Sequence, residues 1–169
     1  MNTPFAALAG TRFHKGHGTE NDFVLILDRD GTRDLSPSQV VALAARRAGI
    51  GGDGVIRVVP TRFATDEHVR ALAARAPWFM DYRNADGSPA QMCGNGTRVT
   101  AELLAREGLV DDEVVLATRA GARTVVRDPR GWRTSMGRWS FGDEATARAD
   151  GFDALVHLDP GQPYSALSQ

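Results

Sequence analysis

The sequence predicts an α+β fold in which strands, many of them antiparallel, lie before and after one central helix. Three observations carry this. Short apolar or alternating runs, bounded by clusters of Gly, Asn, Asp and Pro, recur before Asp86 and after Gly108. Between them a helical pattern begins just after Cys93, with Val99, Leu103 and Leu104 on one side and Gly108 as its stop. The 42% hydrophobic and 24% charged content of the 169 residues is that of an ordinary globular chain, sufficient for one domain or two very small ones.

The elements follow in order. Residues 1–10 read as a loosely packed or disordered lead. Arg12–His17 and Phe23–Asp28 read as strands joined by the polar turn Gly18-Thr19-Glu20-Asn21-Asp22. Asp28-Arg29-Asp30-Gly31-Thr32 is a turn. Ser36, Pro37 and Gln39 form a helix start, with Ser36 as N-cap, Pro37 at the first helical position and Gln39 closing a capping box. That helix is expected to run to Ala48, to bury Val40, Val41, Leu43 and Ala44, and to stop at Gly49. Gly49-Ile50-Gly51-Gly52-Asp53-Gly54 is a tight turn. It is neither a phosphate loop nor a dinucleotide fingerprint, because a strand (Val55–Val59) follows it rather than a helix. Residues 61–77 read as a surface insertion with a short helix, Asp66–Arg75, ended by Pro77. A strand then runs into the turn Asn84-Ala85-Asp86-Gly87-Ser88. After the central helix, Glu113–Thr118, Arg123–Asp128 and Trp132–Gly137 read as successive antiparallel strands. Phe141–Gly151 reads as a polar linker, Phe152–Leu158 as a last strand and Pro160-Gly161 as a turn.

Composition excludes several functions. Net charge is −1 without a basic stripe, which argues against nucleic acid and anionic membranes as partners. No apolar run is long enough to span a bilayer, and residues 5–10 lack the basic start of a signal peptide. A single cysteine offers no disulfide framework, which fits a reducing, cytoplasmic setting. Lys15 is the only lysine, and no phosphate cradle surrounds it. Amino-acid chemistry here is therefore expected to need no pyridoxal phosphate and no other cofactor. His14 and His17 lack further ligands at metal-site spacing, and an odd separation along a strand puts them on opposite faces, so no metal is expected.

Cys93 is the candidate catalytic residue. A thiol just before a helix meets unpaired N–H groups and the positive end of the helix dipole, and both favour the thiolate. Gly94 and Gly96 leave the backbone bare, so the Cys93-Gly94-Asn95-Gly96 turn can offer N–H donors to a carboxylate. One short loop then holds an anionic end group and places sulfur beside it.

Three blocks carry a family resemblance. Phe79 to Val99, FMDYRNADGSPAQMCGNGTRV, resembles the first catalytic segment of the diaminopimelate epimerases. Lys15 to Asp28, KGHGTENDFVLILD, resembles their N-terminal signature, and Gly49 to Ile56, GIGGDGVI, resembles their second glycine-rich turn. The blocks keep the family's order over about residues 12–140. The resemblance implies an antiparallel sheet wrapped around the central helix, one half of a two-domain fold with substrate between the halves. It implies a cofactor-independent interconversion of LL- and meso-2,6-diaminopimelate by two cysteines, one from each half, in lysine and cell-wall precursor synthesis. Cys93 matches the first cysteine, and Gly94 and Asn95 match the backbone donors beside it. Asn21 matches a substrate-contacting asparagine, and Asn84 a residue holding the far end of the substrate. Asp53 and Gly54 lie on a turn that borders the site.

The chain also departs from the family pattern. It has no second cysteine, no Glu-Arg-Gly segment and no Cys-Gly-Thr-Gly helix start, and the Gly-Asn-Pro-His motif is represented only by Gly161-Gln162-Pro163-Tyr164. The resemblance thus predicts residues 1–140 as the N-terminal domain and 141–169 as a linker with the start of a second. The chain reads as a piece of a longer enzyme, a shortened gene product or a degenerate relative, and alone it is expected to be inactive. Two copies facing each other would offer Cys93 from both sides, so a homodimer stays among the partners. Two other classes stay open: a non-catalytic ligand-binding or interaction domain, and another cofactor-free amino-acid racemase. The Tyr82–Gly87 block argues against the latter.

Overall fold

The computed structural model describes residues 8–137. Among them are seven strands: β1 (His14–Gly18), β2 (Asn21–Leu27), β3 (Gly54–Pro60), β4 (Trp78–Asn84), β5 (Glu113–Thr118), β6 (Gly121–Asp128) and β7 (Gly131–Thr134). They form one sheet in sequence order. Three α-helices accompany them: α1 (Pro37–Ala44), α2 (Glu67–Arg70) and α3 (Gly94–Arg106). The class is α+β, as expected, and the sheet curls around α3, which touches every strand.

The sheet is mixed rather than purely antiparallel. β2 pairs with β3 and β4 with β5 in parallel, while the other four pairs are antiparallel. The reason lies in the connections. Tight turns reverse the chain between β1 and β2, β5 and β6, and β6 and β7, and the 61–77 segment reverses it between β3 and β4, whereas the segments carrying α1 and α3 cross over and return it in the same direction.

The inner face of the curl and the buried side of α3 share one apolar core. Val99, Ala101, Leu103 and Leu104 of the helix meet Phe23, Leu25, Ile56, Val58, Met80, Leu116 and Val125 of the strands. The helix ends as its sequence requires. Gly108 takes a left-handed φ of 67°. The Gly108 and Leu109 amides bond the Ala105 and Leu104 carbonyls at 3.0 and 2.9 Å, the paired bonds of a Schellman ending.

Four expectations need correction. Leu8, assigned to a loose lead, is only 7% exposed and packs with Val24, Ile26, Val40 and Leu43 on the outer face of the sheet. The capping box forms as read, with Gln39 N–H donating to Ser36 Oγ and Ser36 N–H to Gln39 Oε1. Yet α1 stops at Ala44 instead of Ala48, because the amides of Ile50, Gly51 and Gly52 fold back onto the Leu43 and Ala44 carbonyls. Gly49 makes that return passable, since a Cβ there would lie 2.0 Å from the Ala42 carbonyl oxygen. Val41 is 46% exposed; two positions from Leu43, it points to nearly the opposite side of the helix. Finally, the 61–77 segment is not only surface. Its helix is four residues long, and Ala64, Val69 and Ala76 build a small core with Val59, Phe79 and Ala117. Residues 1–7 and 138–169, including the strand and turn read at 152–161, lie outside the described residues.

Candidate active site

Four turns meet at one end of the sheet: 18–22 between β1 and β2, 49–54 before β3, 84–90 after β4, and the start of α3. Cys93 is the N-cap residue of α3, in extended conformation (φ −143°, ψ 119°). Its Sγ accepts the Gly96 N–H at 3.4 Å, and its carbonyl accepts the Thr97 N–H at 2.9 Å. The amides of Gly94 and Asn95, first in the helix, have no acceptor among the described residues. A donor on sulfur and two free N–H groups beside it make a compact anion-accepting corner.

Asn21 and Cys93 come together although 72 positions separate them. Sγ lies 3.8 Å from Asn21 Oδ1. The other end of that amide donates from Nδ2 to Asp53 Oδ2 at 2.8 Å. Asp53 also accepts the Asp22 N–H at 3.1 Å and Arg46 Nη2 at 2.7 Å. Arg46 reaches on to Asp22, which Lys15 also contacts at 2.7 Å. Hydrogen bonds from Arg46 and then Lys15 hold the Asp22 carboxyl far below its usual range.

The side chain of Asn95 is already occupied. Its Oδ1 accepts from Arg98 and faces Thr19 Oγ1, which Arg98 also contacts at 2.9 Å. Thr19 and Glu20 have φ of 55° and 67°, the left-handed pair that a two-residue hairpin requires. For a β-branched residue this is strained backbone, and Arg98 ties that turn to the head of α3.

Asn84 sits across the site from this hairpin, on the last residue of β4. Its Nδ2 donates to Ser88 Oγ at 3.0 Å. Ser88 in turn donates its hydroxyl and amide to Asp86 Oδ1, which lowers the Asp86 carboxyl below its ordinary value. Gly54 opens β3 opposite Asn84 and lies against the Tyr82 ring.

Tyr82 and Arg46 were not singled out by the sequence. Burial, together with negative charge on Cys93, Asp53 and Asp86, pushes the Tyr82 hydroxyl up to about 12, so it stays neutral beside the sulfur. An apolar-aromatic position on β4 was the available signal for Tyr82. Arg46, beyond the end of a helix, offered none. Among the described residues no three His, Cys, Asp or Glu side chains converge as metal ligands, and no helix is long and apolar enough to cross a membrane.

The packing against Tyr82 gives one test. A Cβ on Gly54 would lie 2.5 Å from both the Arg83 carbonyl oxygen and Tyr82 Cε2. Gly54→Ala should therefore cost about 1–3 kcal/mol of stability, seen as a lower urea midpoint with an unchanged slope.

Comparison with known proteins points one way. The family model described as Diaminopimelate epimerase matches residues 13–141. A diaminopimelate epimerase of Thermobifida fusca (strain YX) is 52% identical over 161 residues, covering 92% of this chain and 58% of that protein. The diaminopimelate epimerase of Streptomyces coelicolor is 54% identical over 114 residues, 67% of this chain and 39% of its own. That of Mycolicibacterium smegmatis is 45% identical, covering 91% and 58%. The chain thus spans about two-fifths to three-fifths of the length of these curated relatives.

Proposed function

The chain belongs to the diaminopimelate epimerase family, and on that premise we propose that it supplies one catalytic face of a cofactor-independent amino-acid epimerase. The reaction proposed is the interconversion of LL- and meso-2,6-diaminopimelate, a step of lysine and cell-wall precursor synthesis in the cytoplasm. Residues 1–140 are the N-terminal domain, and 141–169 a linker and the start of a second.

The observation that carries this is the position of Cys93. Its sulfur sits at the head of α3, takes an N–H from Gly96, and adjoins the free amides of Gly94 and Asn95. A substrate α-carboxylate bound to those amides brings its Cα next to the sulfur. The thiolate removes the α-proton and becomes the thiol. The electron pair left on Cα delocalises into the carboxylate, where the amides and the helix dipole stabilise it. A second thiol, from outside this chain's single-cysteine complement, then donates a proton on the opposite face. Asn21, next to the sulfur, contacts the reacting end. Asn84, held by Ser88, contacts the distal amino-acid end, and Gly54 lines the floor by letting Tyr82 approach.

The test uses the thiol itself. Iodoacetamide should label Cys93 in the 169-residue chain, and meso- or LL-diaminopimelate should slow the labelling in a saturable way, while lysine and proline should not. Equal rates with and without diaminopimelate would refute the substrate assignment.

A further inference from the structure

Cys93 faces two groups of opposite character, and the structure shows what sets one of them. Gly96 N–H donates to the sulfur, whereas Asn21 presents its carbonyl oxygen to it at 3.8 Å. An asparagine amide is two-sided: turned over, it would present an NH2 group instead. Here Asp53 decides the orientation. An ionised carboxylate only accepts, so Asn21 must aim Nδ2 at Asp53 Oδ2, 2.8 Å away, and Oδ1 must then face the thiol. Asp53 cannot easily turn aside, since the Asp22 amide and Arg46 hold it from two other directions.

We propose that Asp53 is a positioning residue that acts through Asn21: it locks the side-chain amide so that an acceptor faces Cys93 and receives the S–H that the sulfur carries once it has taken the α-proton. This rests on the reading of Cys93 as the acid–base thiol. Among the described residues the Asp53 carboxylate bonds Asn21, the Asp22 amide and Arg46, and neither the sulfur nor the amides of the proposed carboxylate corner. The charged and titratable groups around the pair are Tyr82 and Asp86 from β4 and its turn, Asp22 from β2, Lys15 from β1, and Arg46 from the turn after α1.

Asp53→Asn tests the lock. Its carboxamide can donate to Asn21 Oδ1, which frees Asn21 to turn Nδ2 toward the sulfur. Exchanging an acceptor for a donor at the sulfur should raise the iodoacetamide rate of Cys93 at neutral pH by about tenfold. At about pH 10, above the ordinary value of a cysteine side chain, the rates should converge, because access to the sulfur is unchanged. Loss of the Asp53 charge alone could also speed alkylation, so a double-mutant cycle separates the two routes. In an Asn21→Ala background the Asp53→Asn increment should vanish. An increment of the same size in that background would overturn the proposal and assign the effect to charge acting through space. Arg46→Met, which removes the neighbouring ion pair and leaves the amide contact, should change the rate less than twofold; a tenfold change would also count against the lock. Thermal midpoints of all variants check folding. Should Asn21→Ala not fold, the wild-type protein answers instead: the Asn21 side-chain NH2 resonances should shift with the ionisation of Asp53, and no shift would overturn the assignment. Diaminopimelate protection of Cys93 is measured separately, so failure of the lock leaves the substrate assignment standing or falling on its own result.

Discussion

The 169-residue chain alone should convert no LL-diaminopimelate to the meso form, and supplying a second domain that carries the opposing thiol should restore conversion. The chemistry demands it. One thiol can take a proton from one face of Cα, but inversion needs a proton returned on the other, and this chain holds a single cysteine. An acid–base group contributes about 10²–10⁴-fold, and each preorganised donor at a developing oxyanion about 10²–10³-fold in rate. A half-site also admits water, which weakens what remains. In the reconstituted enzyme Cys93→Ala should lower kcat by at least about 10³-fold, read as loss of the optical-rotation change or of α-proton exchange into deuterated water. If two copies face one another instead, activity should rise with the square of concentration at low concentration. Turnover by a strictly monomeric 169-residue chain would sink the two-thiol reading.

The second large effect is on stability. Arg57 lies in the middle of β3 and is 3% exposed, yet it pairs with Asp28, itself 2% exposed, through Nε and Nη2 at 2.9 Å. Asp28 also accepts the amides of Thr32 and Arg33. Asp81 stands 3.8 Å from Arg57 and is bonded at 2.7 Å to Arg119, which reaches Asp66 at 2.9 Å. Arg57→Met leaves Asp28 buried without its guanidinium, so it should cost about 3–5 kcal/mol, a large share of a domain's typical stability of about 5–15 kcal/mol. The urea midpoint at neutral pH reads this directly.

Asp28 also gives that stability a pH dependence. Burial by itself would raise its carboxyl, but the Arg33 amide, Arg57 and the Thr32 amide outweigh it, and the net value falls below the ordinary one. A carboxyl lowered in the folded state stabilises above its unfolded value, near 3.9, and loses that contribution as pH falls toward the folded value. Wild type should therefore weaken steeply below about pH 4, and Asp28→Asn should start less stable and lose less over the same range.

Local signals in the sequence determined a definite share of this protein. Ser36 with Gln39 determined the start of α1, and Gly108 the end of α3, because a cap is settled by residues within one turn. Cys93 at the head of a helix is likewise a local fact, and with it came the unpaired amides of Gly94 and Asn95. Hairpins at 118–121 and 128–131 followed from their turn residues.

Tertiary structure decided the rest, wherever partners lie far apart in the chain. Nothing local says that Arg57, within an apolar run, is buried on a carboxylate 29 positions away instead of marking an exposed face. Periodicity cannot tell a parallel from an antiparallel neighbour, so the two parallel seams emerged only with the crossovers through α1 and α3. Ala45 to Ala48 have the composition of a helix, but the returning amides of residues 50–52 take the carbonyls that would have continued it. The candidate site divides along the same line. Its sulfur and its donors were legible because one helix terminus makes them. The acceptor facing that sulfur was not, since Asn21 reaches Cys93 from a hairpin at the far edge of the curl, turned by Asp53 from a third loop.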